Sequence, residues 1–139
     1  MNERRIIEPE GWARPRGYAN GIAARGELLA VAGQIGWNAQ QHFESDELLP
    51  QFRQALANVV AVLRAAGGGP EHMISMTMYV VDKHAYLAAA AEIGGVWREL
   101  CGKNFPTMAL VQVAALLEDR ALVELQALAV LPVSEESPR

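Results

Sequence analysis

FPTMALVQVAALLEDRALVELQALAV, residues 105–130, is the stretch from which the rest of the chain is read. Two apolar runs flank the polar Glu118, Asp119 and Arg120, which predicts two strands joined by a short turn. Alternation puts Met108, Leu110 and Gln112 on one face of the first strand, and Leu122, Glu124, Gln126 and Leu128 on the matching face of the second. Glu124 therefore interrupts an otherwise apolar strand. It is either a solvated residue, alone or paired with an arginine such as Arg120, or the acid of a pocket.

Working back along the chain, residues 73–81 alternate as a strand, with Ile74, Met76, Met78 and Val80 on one face and Ser75, Thr77, Tyr79 and Val81 on the other. Between this run and residue 105, Asp82 is placed to cap a helix over 83–100, with Tyr86, Ala90, Ile93, Trp97 and Leu100 as its buried stripe and Gly102 at its end. Upstream, Leu48, Phe52, Leu56, Val59 and Leu63 recur at helical spacing and predict an amphipathic helix over 47–66. Ser45 or Asp46 is expected to cap it, while Gln51, Arg53, Gln54 and Arg64 occupy its other faces. The triplet Gly67-Gly68-Gly69 follows this helix and has no Lys-Ser or Lys-Thr after it, so it reads as a helix stop and not as a phosphate loop.

Nearer the N-terminus, residues 18–24 and 27–34 resemble the arms of a hairpin about Arg25-Gly26, and Ile6-Ile7 could add an edge strand. Gly33 and Gly36 bracket Gln34-Ile35 and mark a bulge or a close backbone approach. The expected architecture is one α+β domain over 1–139: an arm at 1–17, a core at 18–131 and a tail at 132–139. Two helices cover one face of a mixed six-stranded sheet, and the apolar residues on its other face call for a partner subunit.

Composition narrows the function. Lys and Arg number 12 against 16 Asp and Glu, giving a net charge of −4 that offers no footprint for nucleic acid. No long uncharged apolar run suggests a membrane span, and the N-terminal residues lack the apolar core of a secretory signal. A single cysteine, Cys101, forms no internal disulfide, reads as a small buried residue at a helix end, and suits a cytoplasmic protein. The three histidines show no metal-ligand spacing.

Several short motifs in register carry a resemblance. Gly17-Tyr18-Ala19-Asn20-Gly21-Ile22, Val31-Ala32-Gly33-Gln34-Ile35, Gln54-Ala55-Leu56-Ala57-Asn58-Val59, Phe105-Pro106-Thr107 and Val123-Glu124-Leu125-Gln126-Ala127 together resemble the Rid family, also called YjgF-like. The resemblance implies a chorismate-mutase-like subunit, a homotrimer with ligand clefts between subunits, and hydrolysis of reactive imines or enamines to carbonyl compounds and ammonia without metal or organic cofactor. It also implies Glu124 as the catalytic residue that activates water, Tyr18 as a cleft residue, and Gly33 and Gln34 as the cleft-lining turn. Where the family carries an arginine for the substrate carboxylate this chain has Met108; its usual cysteine is Leu110, and an asparagine often found on the second helix is Ala90. A carboxylate left without a partner costs several kcal/mol on burial, so these replacements predict a more apolar or uncharged ligand, or a metabolite-binding trimer that has lost the chemistry. Trp37 either stacks on a ligand or fills an interface. Family members are also described as ribonucleases or translation inhibitors, which the acidic balance does little to support.

Overall fold

The computed structural model describes residues 4–133; positions 1–3 of the expected arm and 134–139 of the expected tail lie outside the described residues. In chain order the elements are β1 (Arg4–Ile7), β2 (Gly21–Ala24), β3 (Glu27–Ile35), α1 (Leu48–Ala65), β4 (Met73–Val80), α2 (Lys83–Ala88), α3 (Ala90–Cys101), β5 (Thr107–Gln112) and β6 (Val123–Leu131), with a short 3-10 turn at Pro70–His72. The fold is α+β, with a mixed sheet and its helices gathered on one face. No helix of the described residues is long and apolar enough to cross a membrane.

The expected six strands all form, but they hydrogen-bond as a four-stranded sheet in the order β3-β6-β4-β5 and a separate β1-β2 pair. The expected hairpin between β2 and β3 does not form: β2 pairs with β1, and β3 pairs with β6. The β1-β2 unit is tied to the larger sheet where Ala19 N–H donates to the Pro106 carbonyl at 3.0 Å, beside a parallel bridge from Ala19 to Thr107.

The largest departure from expectation concerns residues 105–130 themselves. β5 and β6 are not neighbours, because β4 lies between them, parallel to β5 and antiparallel to β6. Met78 is level with Leu110 on one side and Leu125 on the other, while Tyr79 is level with Val111 and Glu124. Residues directly opposite across a ladder share a face. Leu110 and its alternate, Met108, therefore lie on the helix-covered face, and Glu124 lies on the open face, not beside them. The apolar alternation of each strand was legible; the insertion of β4, which sets the relative phase of the two strands, was not.

The core forms between this sheet and the helices. Val123, Leu125, Ala127 and Ala129 of β6 and Met73, Met76, Met78 and Val80 of β4 face α1 residues Phe52, Ala55, Leu56, Val59 and Leu63, all buried. In β4, Met73 takes the core position expected for Ile74, because a bulge between Met73 and Ser75 shifts the alternation at the start of the strand.

Helix α1 begins at Leu48 and Glu47 is its N-cap, without a side-chain cap bond; Ser45 Oγ instead accepts from Glu47 N–H at 3.0 Å. Gln51, expected on a polar face, is buried at 1% exposure. Its Nε2 donates to the carbonyls of Ser45 and Arg120, at 3.0 and 2.9 Å, and its Oε1 accepts from Leu122 N–H at 2.8 Å. One side chain thus satisfies three backbone groups of the segments entering α1 and β6. A Cβ at Gly36 would come within 2.6 Å of Gln51 Cβ, so only glycine lets β3's exit pass this close to the helix. The helix ends as expected: Gly67, at φ +88°, donates to Arg64 O and Gly68 donates to Leu63 O, the paired bonds of a Schellman stop.

The second expected helix is divided at Ala89, whose φ of −100° and ψ of 8° place it in the bridge region between helix and turn. Asp82 caps α2 as expected, accepting from His84 and Ala85 N–H. Ile93, Val96, Trp97 and Cys101 of α3 are buried, whereas Ala90 of the expected stripe is exposed and Tyr86 and Leu100 are half-buried. The break at Ala89 leaves Ala90, at the start of α3, exposed on the wall of a cavity.

Candidate active site

That cavity, of about 690 Å³, lies on the helix side of the sheet between α2, α3, the start of β5 and the segment before β2. Its volume falls within the range usual for small-molecule sites. Buried Phe52, Met78, Ile93 and Trp97 contribute to its apolar wall. Trp97 is fixed by donation from its Nε1 to Asn104 O at 3.1 Å and by stacking on Phe105, with ring centroids 6.3 Å apart and planes at 12°. Thr107 Oγ1 donates to Ile74 O at 2.8 Å, holding the first turn of chain into β5 against β4.

Four of the residues singled out in the sequence meet here: Tyr18, Ala90, Met108 and Leu110 all line the cavity. Tyr18 is presented by the turn that follows Gly17, a glycine at φ +76°. Tyr86 also lines it, and burial pushes its phenol above the ordinary value, keeping the hydroxyl a neutral donor. Among the described residues, no Asp or Glu belongs to the wall.

Glu124 and Gly33 come together elsewhere, on the open face. The register of β3 against β6 shifts between Val31 and Gln34, and this bulge brings the Gly33 backbone under Glu124. A Cβ at position 33 would run into the Glu124 carboxylate. Gln34 is half-buried, its Nε2 donating to Ala32 O at 3.2 Å. Around them the open face carries Tyr79, whose hydroxyl donates to Gln126 Oε1 at 3.1 Å, and the exposed apolar Val111 and Leu128. Trp37 joins neither group; it is half-buried in the loop after β3, 5.9 Å from the Phe43 ring, and its carbonyl accepts from Asn58 Nδ2.

A single chain thus holds an apolar cavity on one side of the sheet and a glycine-bedded carboxylate on the other. Residues overlooked as site candidates are Arg16, Lys83, Tyr86, Trp97, Phe105 and Arg98. Tyr86 and Trp97 were legible as an inward helical stripe, but a stripe that packs and one that borders a void have the same spacing.

Cys101 takes no part. It is 2% exposed, and burial pushes its thiol up to about 12, an effect that Arg64 only partly opposes. At pH 8 its thiolate fraction is then about a thousandfold below that of an ordinary cysteine, so an aromatic disulfide reagent should label the native protein very slowly and the urea-unfolded protein at once. Equal rates would place the thiol outside the core. Among the described residues, no group of three or more His, Cys, Asp or Glu is arranged to hold a metal ion.

The strand order and the helices on one face define the class, an α+β domain, and comparison with known proteins gives the family. The family model described as endoribonuclease L-PSP matches residues 13–131. A RutC family protein from Synechocystis is 35% identical over 131 residues, covering 92% of this chain and 97% of that protein. A protein from Salmonella typhimurium named 2-iminobutanoate/2-iminopropanoate deaminase is 28% identical over 113 residues, covering 81% and 86% of the two chains. The crystal structure of a conserved Rid family protein of unknown function from Yersinia pestis superposes with a TM-score of 0.81 at 35% identity, covering 93% of this chain and 99% of that one. The chain belongs to the Rid, or YjgF-like, family.

Proposed function

We propose that this chain is a hydrolase of C=N bonds, an imine or enamine deaminase, and that it works as a homotrimer in which the cavity of one copy receives Glu124 from the next. The observation that carries this reading is the division of the site: among the described residues the cavity wall contains no carboxylate, while Glu124 lies bedded over Gly33 on an open face that is otherwise partly apolar. Each half lacks what the other has, and a second copy supplies it. The names of the Salmonella relative and of a 2-iminobutanoate/2-iminopropanoate deaminase from Escherichia coli, 29% identical over 113 residues, support the reaction class.

In this reading Glu124 accepts a proton from water as the oxygen attacks the imine carbon, then returns it to nitrogen. The hydroxyl proton of the resulting carbinolamine then passes to nitrogen through the same carboxylate, the C–N bond breaks, ammonia leaves and the carbonyl forms; imine plus water balances carbonyl plus ammonia. An enamine enters after a proton moves to its carbon. The reading requires no metal or organic cofactor, and Met108 in place of an arginine shifts the preference away from the small imino acids named for the relatives.

The alternative is a trimer that binds a metabolite in the same cleft without turning it over, favoured by the apolar Met108, Leu110 and Ala90 on the cavity wall. Ammonia release distinguishes the two. N-unsubstituted imines generated in situ by amine and amino-acid oxidases from small, large, charged and neutral amines should include at least one that the protein hydrolyses well above the buffer rate, and the native mass should be three chains. Saturable binding with no ammonia above the buffer rate from any of them would leave the binding trimer.

A further inference from the structure

Three cations, Arg16, Lys83 and Arg98, contribute to the cavity wall, and all three are exposed residues at its margin. Two salt bridges occur among the described residues, Arg53 with Glu99 and Arg120 with Asp46, and neither uses these three. Arg98 stands one turn after Gly94, and a Cβ at 94 would lie 3.7 Å from its Nη1, so the guanidinium lies over bare helix backbone that itself lines the cavity. Like charges on one cavity wall, to which the described residues of the same chain contribute no acid, lower the potential energy of an anion placed among them. Inside that opening the surface is flat and apolar, through the stacked Trp97 and Phe105 with Met108 and Leu110 beside them.

We propose that the cavity binds an organic anion with an aryl-sized apolar body, its carboxylate held at the mouth by Arg98, Arg16 and Lys83 and its body lying against Trp97, Phe105 and Met108. This rests on the reading of the cavity as the substrate half of the cleft and names its ligand. Under it Met108 touches the body of the ligand and not its charge, so the sequence-based expectation of an uncharged ligand gives way to an anion held by different residues. Joined to C=N hydrolysis, the substrate class is a 2-imino acid with a large apolar side chain.

Calorimetric titration of the intact protein with 3-phenylpropanoate, 3-phenylpropanamide and propanoate tests the proposal without relying on turnover. The aryl carboxylate should bind at least about tenfold more tightly than either the neutral amide or the short acid, and weaken as salt rises. Arg98→Gln should weaken the aryl carboxylate about tenfold and leave the amide unchanged; Arg16→Gln and Lys83→Gln should act in the same direction. The proposal is overturned if amide and carboxylate bind alike, if all three variants bind 3-phenylpropanoate like the parent, or if it does not bind. Hydrolysis of small or neutral imines without 3-phenylpropanoate binding would sink this ligand class and keep the hydrolase. Binding of 3-phenylpropanoate with no imine hydrolysed would do the reverse.

Discussion

Glu124→Gln is expected to lower imine hydrolysis by about 10²- to 10⁴-fold, the usual range for removing a general acid or base, while leaving the protein folded. The substitution keeps the shape of the side chain, so the amide fits over Gly33 where the carboxylate lay. The backbone of residue 124 remains paired with Ile35 on β3 and Tyr79 on β4. Stability should therefore change by no more than about 0.5 kcal/mol. The amide cannot take the proton from water, and that is the one property lost.

Because Glu124 and the cavity lie on opposite faces, a second variant makes the test specific to the assembly. Ala90→Trp, at an exposed helix position on the cavity wall, should block the cavity and also abolish activity. If cavity and glutamate come from different copies, unfolding and refolding the two inactive variants together should restore activity, to about a quarter of the parent's since each cleft draws its halves independently. A Gln variant as fast as the parent removes Glu124 from the chemistry. A mixture that stays inactive after trimers have re-formed means that the two halves do not complete one another.

Most of the fold could be read from periodicity, because burying one face of a strand or helix leaves a period that survives in the sequence. The helix at 48–65, its glycine stop and the Asp82 cap all follow from local rules. What could not be read is set by contacts distant in the chain. The pairing of β6 with β4, and not with β5, separates Glu124 from Met108, and no local feature of residues 105–130 encodes the intervening strand. Gln51 looked like any polar residue on a helix, since its partners at 120 and 122 lie 69 and 71 residues away.

The same bulge logic explains part of the site. Gly33 and Gly36 signalled a close approach from sequence, but only the packing identifies what approaches: the Glu124 carboxylate at the first and Gln51 of α1 at the second. Individual site residues were legible because their types depart from their surroundings, as Glu124 does in an apolar strand. The cations at the cavity mouth were not, because an exposed arginine or lysine is the ordinary furniture of a surface until a void is found beside it.

Gln51→Leu is expected to cost about 3–5 kcal/mol, read as a fall in the urea midpoint with an unchanged slope. Leucine nearly matches glutamine in size, so the loss is not a cavity. It is the stranding of the Ser45 and Arg120 carbonyls and the Leu122 N–H, three buried-side partners of one side chain, at about 1–3 kcal/mol for each group that finds no substitute. Gly36 packs against the Cβ and Cα of residue 51, leaving little room for a bridging water on that side. Gln51→Glu should be no milder, because it removes the amide donor from both carbonyls and buries a charge. Gln40→Leu, in an exposed loop, should move stability by less than about 0.5 kcal/mol. The effect should also reach the site: Leu122 precedes Glu124 by two residues, so Gln51→Leu at a temperature where it remains folded should still lower the hydrolysis rate. A loss of under about 1 kcal/mol would mean that the three backbone groups find water or one another, and that the entry to β6 is held by the sheet alone.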